Sequence, residues 1–170
     1  VGVSKSYIAI SAIGNTKKGF MSGSVSIYRI LNDDITFLYE LFPLTSQKKS
    51  YFGDDVKIIN NELYVGASGA NKTGAVYIYE LATGILKQMI SPTDIPEKIQ
   101  FGKSIAANKN FLYIGASAQN LSGQNGSVYV YKLNENNEWS FSTKLYGDTT
   151  NFGSLFGYSI SCQGNSLVVG

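Results

Sequence analysis

The stretch FGKSIAANKNFLYIGASAQNLSGQNGSVYVYKL, residues 101–133, holds three short apolar runs separated by turn-forming residues. Versions of it recur, as FGDDVKIINNELYVGASGANKTGAVYIYEL at 52–81 and FGYSISCQGNSLVVG at 156–170. The opening VGVSKSYIAISAIGNTKKGFMSGSVSIYRI, residues 1–30, is a fourth copy that lacks the Phe-Gly pair at its front. A self-repeating sequence of this kind predicts an array of equivalent structural units.

The spacing of the repeat predicts the architecture. The Phe-Gly pairs begin at Phe52, Phe101 and Phe156. A period of about fifty residues suits a β-propeller blade of four short strands and is too long for leucine-rich or ankyrin units. Short apolar runs with turn residues between them indicate all-β structure. We therefore predict an all-β fold, a β-propeller fragment of four-stranded antiparallel blades, with about three blades and the start of a fourth.

The blades are expected at approximately 1–44, 52–92 and 101–146, with an incomplete one at 156–170, all within a single β-propeller domain. Val1 aligns with Ile105 and Gly170 aligns with Gly115, so both ends supply the same part of a blade. The two ends therefore cannot combine to form one complete blade. We expect the chain to be a piece of a longer propeller.

Composition narrows the function classes. Charged residues are 15% and hydrophobic residues 44%, which is typical of an ordered protein. The net charge is +2, and the short pairs Lys17-Lys18 and Lys48-Lys49 are interpreted as solvated loop charge. Nucleic-acid binding is not expected, because it needs a basic stripe with interleaved aromatic residues. Direct membrane insertion is not expected either, since no apolar run reaches the length of a membrane span.

The repeated residues have expected structural roles. Glycines inside a strand weaken it unless something packs closely against the backbone or the chain needs an unusual turn, and we expect one of these two reasons at the glycines of LYVGAS and LYIGAS. In AVYIYEL, Tyr77 and Tyr79 share one face of the strand. Such aromatic residues suit either a ligand surface or packing between blades, and we favour packing. The repeated structural motif comprises Phe52, Gly53, Gly66, Ala67, Phe101, Gly102, Gly115, Ala116, Phe156 and Gly157.

The order Phe-Gly, then L-x-V-G-A, then G-A-V-Y-x-Y resembles the FG-GAP repeat of integrin α-subunit propellers and of many bacterial surface and exported proteins. The W…KL…FGxSxxxxG…LxVG run from Trp139 to Gly170 resembles the bacterial form in particular. The resemblance implies a complete ring of about seven blades. It also implies an extracellular, cell-surface or periplasmic location.

The chain departs from the FG-GAP pattern in two ways. Many members carry a D-x-D-x-D-G calcium loop, whereas SAIGNTKKGFMSG, SGANKTG and SAQNLSGQNG hold no carboxylate, so neither calcium nor another cofactor is expected in these blades. The family's usual Asp before Phe-Gly is replaced by Tyr51, Gln100 and Leu155. Asp54 and Asp55 are interpreted as solvated or paired structural carboxylates.

No catalytic residue is assigned. The sequence has no His, which removes the commonest general base. Cys162 stands where Ala107 stands in the preceding copy, so we interpret it as a small buried core residue. The Thr83-Gly84 turn in ELATGIL resembles turns of quinone-dependent dehydrogenase propellers, whose repeats need a Trp, and Trp139 alone could serve.

The sequence favours a non-enzymatic scaffold that binds another protein or a glycan through loops of free sequence on a fixed frame. Two alternatives stay open. One is a hydrolase or lyase whose catalytic residues lie in blades outside this stretch, and the other is a structural subunit of a surface or secretion complex. The candidate contact residues are Asn15, Lys17, Asn71, Lys72, Asn120 and Gln124.

Overall fold

A computed structural model describes residues 1–45, 47–92, 99–117, 126–147 and 154–170, and all of its regular elements are β-strands. The first sheet holds β1 (Gly2–Val3), β2 (Tyr7–Ser11), β3 (Val25–Leu31) and β4 (Asp34–Leu41). The second holds β5 (Phe52–Ile59), β6 (Glu62–Ala67), β7 (Ala75–Glu80) and β8 (Leu86–Ile90). The third holds β9 (Phe101–Ala107), β10 (Phe111–Ala116), β11 (Ser127–Leu133) and β12 (Trp139–Tyr146). The fourth holds β13 (Ile160–Gln163) and β14 (Ser166–Val169).

Each sheet is an antiparallel meander in which strands pair in chain order, as in a propeller blade. The innermost strands follow one another, because β5 contacts β9 and β9 contacts β13. The predicted all-β class and four-stranded antiparallel blades are therefore confirmed. We refer to the sheets below as the first to fourth blades.

The blades are joined by one repeated backbone contact. Gly23 pairs with Phe52 in a parallel bridge, Gly74 pairs with Phe101, and Gly126 pairs with Phe156. In each case the loop after a blade's second strand is tied to the Phe-Gly pair that opens the next blade. All three phenylalanines thus occupy the same position relative to the preceding blade.

The hydrophobic core lies between blades. Tyr77 and Tyr79 pack with the first blade's side chains, whereas Val76 and Ile78 pack with the third blade's. Phe101 packs on the corresponding third-blade tyrosines, with ring centroids 5.0 Å from Tyr129 and 6.3 Å from Tyr131. The second blade therefore buries both faces against its neighbours, and the expected packing of the Tyr-x-Tyr pair is confirmed.

The glycines of the second strands lie where two blades come closest. A Cβ built on Gly66 would be 2.0 Å from the carbonyl oxygen of Gly102, and one on Gly115 would be 2.0 Å from that of Gly157. No side chain fits at such distances. Of the two reasons for glycine that the sequence offers, close packing and an unusual turn, the structure shows close packing.

Polar side chains on the first strands also join the blades. Asp55 Oδ2 accepts a 2.7 Å hydrogen bond from the Ile105 N–H of the third blade. Asp54 Oδ1 lies 3.2 Å from Lys103 Nζ, also of the third blade. In the third blade, Ser104 Oγ donates a 2.7 Å bond to the Gly157 carbonyl. The interpretation of Asp54 and Asp55 as paired structural carboxylates is confirmed.

The residue before each Phe-Gly pair has left-handed backbone geometry. The φ angles are 52° at Tyr51, 55° at Gln100 and 51° at Leu155. Asn and Asp adopt this conformation more readily than other non-glycine residues. The geometry therefore explains why an Asp would suit the position that Tyr51, Gln100 and Leu155 occupy here.

Replacing Leu155 with asparagine should raise the free energy of unfolding by roughly 0.5–1 kcal/mol, because asparagine relieves left-handed strain. Leu155 is already 42% exposed, so only part of its apolar surface is lost from contact. Urea denaturation measures the change. Leu44→Asn is the matched control, since Leu44 is exposed but has ordinary φ. An equal change in both variants would contradict the assignment of strain to position 155.

Cys162 differs from its expected burial. It is half-buried, because β13 and β14 form a two-stranded sheet with no further strand beside it among the described residues. Burial raises the pKa of the Cys162 thiol, so the thiol is protonated at neutral pH. A protonated thiol is a poor nucleophile.

Candidate binding surface on the loop face

The connections between second and third strands and the connections between blades lie at the same edge of the sheets, here called the loop face. Backbone hydrogen bonds join the two kinds of connection. The Lys49 N–H donates to the Phe20 carbonyl at 2.7 Å, and the Gly69 N–H donates to the Ser50 carbonyl at 3.1 Å. Main-chain bonding thus holds the loops while their side chains stay free to vary.

The candidate contact residues of the first loop bind their own blade. Asn15 Nδ2 donates to Ser24 Oγ at 2.9 Å, and Asn15 Oδ1 accepts from the Lys17 N–H at 2.9 Å. Lys17 Nζ lies 3.0 Å from Glu40 Oε2, and this hydrogen bond lowers the pKa of Glu40. The structure therefore brings Asn15 and Lys17 together as local loop supports.

The second loop presents one residue that is held and one that is not. Gln47 fixes Asn71, since its Oε1 accepts from the Asn71 N–H at 3.2 Å and its Nε2 donates to Asn71 Oδ1 at 3.3 Å. Lys72 is exposed and makes no ion pair with the described residues. Asn120 and Gln124 lie outside the residues that the structure describes.

A cavity of about 310 Å³ opens on the loop face beside Lys72. Lys48 and Lys49 come from the connection between the first and second blades, and Lys72 comes from the second blade's own loop. Neither Lys48 nor Lys49 is ion-paired within the described ranges. We name this cavity the lysine pocket; its lining comprises Lys48, Lys49, Tyr51, Ser68, Gly69, Lys72 and Gln100.

The carboxylate hydrogen-bonded to the lining residue Ser68 is already paired with a lysine. Ser68 Oγ donates a short hydrogen bond to Asp54 Oδ2, and the other oxygen of Asp54 faces Lys103. The Asp54 side chain is almost fully buried, so its charge is compensated within the blade junction. The pocket therefore keeps a net positive charge and attracts anions.

The strongly shifted ionisable groups are buried tyrosines. Burial raises the pKa of Tyr39 to about 12, and burial also raises the pKa of Tyr64 and of Tyr79. All three phenols are neutral at physiological pH, and they support packing between blades. Their shifts therefore follow from burial in or beside the core.

Two further features bear on the site. Within the described ranges, no three side chains of His, Cys, Asp or Glu gather in a way that could hold a metal ion. The same residues include no helix with the length and apolar character needed to cross a membrane.

The lysine pocket was not found by sequence reasoning. Lys48 and Lys49 look like a solvated pair, and Lys72 lies in another loop. The backbone bond between Gly69 and Ser50 brings these loops together. The only sequence signal is that loops at equivalent repeat positions share one edge of the sheets, which is weak without knowledge of loop shape.

A solved structure described as a europium-containing methanol dehydrogenase is similar to this chain, with a TM-score of 0.62 and 11% sequence identity. The match covers 85% of this chain and 23% of that one, so the chain spans less than a quarter of its length. At this identity the similarity shows the fold alone, and the fold is a β-propeller. No protein-family model matches the sequence, and no curated protein matches it either.

Proposed function

We propose that this chain is part of an FG-GAP-type, integrin-α-like β-propeller. It acts as a non-enzymatic scaffold and binds an acidic protein or glycan through its loop face. The observation that carries the proposal is the lysine pocket, in which loops of two consecutive blades place three cations around one cavity. The cell surface, the extracellular space or the periplasm is the proposed location, on the strength of the FG-GAP resemblance.

Two structural features support this assignment. The Phe-Gly pairs have the same role at all three blade junctions, and the strand glycines Gly66 and Gly115 have the same role at two of them, as expected for a true repeat. The lysine pocket offers ammonium groups, a phenol, a hydroxyl and an amide, which are groups that bind anions through charge and hydrogen bonds. An acidic ligand therefore fits its chemistry.

Combined substitution of Lys48, Lys49 and Lys72 by alanine should weaken binding to acidic probes by about tenfold or more, because exposed charge interactions contribute up to about 1 kcal/mol each. Heparin is the glycan probe and polyglutamate is the protein-like probe. Isothermal titration calorimetry at two salt concentrations measures both affinities. The remaining affinity should depend less steeply on salt.

The matched control removes three lysines from the opposite edge of the sheets, as Lys5→Ala, Lys109→Ala and Lys132→Ala together. Each triple variant removes three positive charges from a chain of net charge +2, so the two variants have equal net charge. Only the variant that lacks the three pocket lysines should lose affinity for the acidic probes, and an equal loss of affinity in both variants would mean non-specific attraction.

Cleavage of an ester or glycoside by the chain would favour the hydrolase or lyase alternative. Salt-insensitive association with a large apolar partner would favour the structural-subunit alternative.

A further inference from the structure

A second cavity, of about 450 Å³, lies as a groove between the second and third blades. One wall is β8 and the residues that follow it, and the other wall is formed by β11 and β12. The groove is separate from the lysine pocket, with which it shares no lining residue. None of the contact residues predicted from the sequence lines it.

One lining residue of the groove, Gln88, takes the place of a larger residue of the first blade. Tyr39 on β4 pairs with Ile27, and Gln88 on β8 pairs with Ile78 at the same position of the next blade. Tyr39 fills the crevice between the first and second blades, where its ring contacts Gly84 and its hydroxyl donates to a backbone carbonyl. Gln88 is smaller than tyrosine and lines the open groove of the next crevice.

Gln88 also fixes the opposite wall. Its Oε1 accepts a 3.0 Å bond from the Trp139 N–H, and its Nε2 donates a 2.9 Å bond to the Trp139 carbonyl. Trp139 Nε1 donates to Tyr64 Oη at 3.1 Å, which fixes the indole. These walls are held before any ligand arrives, so binding needs little ordering of side chains.

The mouth of the groove combines an aromatic surface with a cation. Phe141 is 55% exposed and Met89 is 45% exposed. Lys144 Nζ lies 4.4 Å from the centroid of the Tyr129 ring, and no carboxylate of the described residues is ion-paired with it. The Phe141 ring and the Lys144 ammonium group therefore both line the mouth of the groove.

We propose that this groove binds an acidic sugar residue of a glycan. The C–H face of a sugar ring carries partial positive charge and is attracted to the face of Phe141. A carboxylate on the same sugar then pairs with Lys144. The volume falls in the range of small-ligand cavities, about 300–1,000 Å³. Two exposed apolar side chains are far too few for a protein interface, which buries about 800 Å² on each partner.

Trp139 is the only tryptophan of the chain and lines the groove, so its fluorescence reports occupancy directly. A hexuronate oligosaccharide should change this fluorescence saturably, and a neutral oligosaccharide of the same ring type should bind more weakly. Phe141→Ala should weaken hexuronate binding by about tenfold, whereas Phe141→Tyr, which keeps the ring, should retain it. Lys144→Gln should remove the preference for the acidic sugar.

Phe37→Ala is the matched control, because Phe37 has the same ladder position on the first blade and is 54% exposed outside the groove. This variant should bind hexuronate normally. Absence of a saturable response, equal loss in Phe37→Ala, or equal displacement by an acidic peptide would each overturn the proposal. The variant lacking Lys48, Lys49 and Lys72 should keep this response, so failure at the lysine pocket and failure at the groove are distinguishable.

Discussion

Replacing Gly74 with alanine is expected to lower the free energy of unfolding by several kcal/mol, for two reasons that add. The new Cβ would lie 2.0 Å from the carbonyl oxygen and 2.7 Å from the nitrogen of Phe101. Both atoms belong to the backbone of the next blade and cannot rotate away, and overpacking of this kind costs about 1–3 kcal/mol. The left-handed backbone, with a φ angle of +103°, is the second reason. Such a conformation adds about 1–3 kcal/mol for any residue with a Cβ.

Two other glycines separate these causes. A Cβ on Gly14 meets nothing within 4 Å and its φ is ordinary, so Gly14→Ala should be close to neutral. A Cβ on Gly164 also meets nothing, but the φ of +56° should cost about 1 kcal/mol. Urea denaturation should give Gly74→Ala a much lower free energy of unfolding than Gly14→Ala or Gly164→Ala. If Gly74→Ala cost no more than Gly164→Ala, the blades would not approach as closely as described.

Truncating Phe101 to alanine should cost roughly 3–5 kcal/mol, the usual cost of removing a buried aromatic side chain. Its ring is fully buried and packs on Tyr129 and Tyr131. The cost combines lost apolar burial with the cavity that remains at the blade junction. Chemical denaturation, followed by tyrosine and tryptophan signals, measures it.

Phe20→Ala is the control for this change, because Phe20 is 57% exposed in the first loop. It should alter stability by less than about 0.5 kcal/mol, as is usual for surface substitutions. The stability cost of Phe101→Leu should lie between those of Phe101→Ala and Phe20→Ala, since leucine fills part of the cavity. Similar costs for Phe101→Ala and Phe20→Ala would mean that the Phe-Gly pair is not part of a core between blades.

The architecture could be predicted from the sequence because the same packing requirement recurs in each repeat and selects the same residues each time. Phe52, Phe101 and Phe156 recur because each begins a blade against the previous one. Gly66 and Gly115 recur because another backbone lies against them. A single copy would have been ambiguous between packing, turn and chance.

The two binding surfaces could not be read in this way. The lysine pocket depends on how two loops fold together, and loop lengths here differ between copies. The groove depends on Gln88 aligning with Tyr39 on the fourth strands. The hairpin between the third and fourth strands is longer in the first blade, so Tyr39 follows its partner Ile27 by 12 residues whereas Gln88 follows its partner Ile78 by 10. Counting residues from the third strand therefore does not reveal the equivalence.

The parallel bridges have a consequence for biosynthesis. Gly74 cannot complete its pairing until Phe101 has emerged from the ribosome, and Gly23 must wait in the same way for Phe52. Nascent chains grow from the N-terminus at about 5–20 residues per second, so each blade stays unfinished for a second or more. Completion therefore passes along the polypeptide in the order of translation, and each newly made segment closes the one made before it.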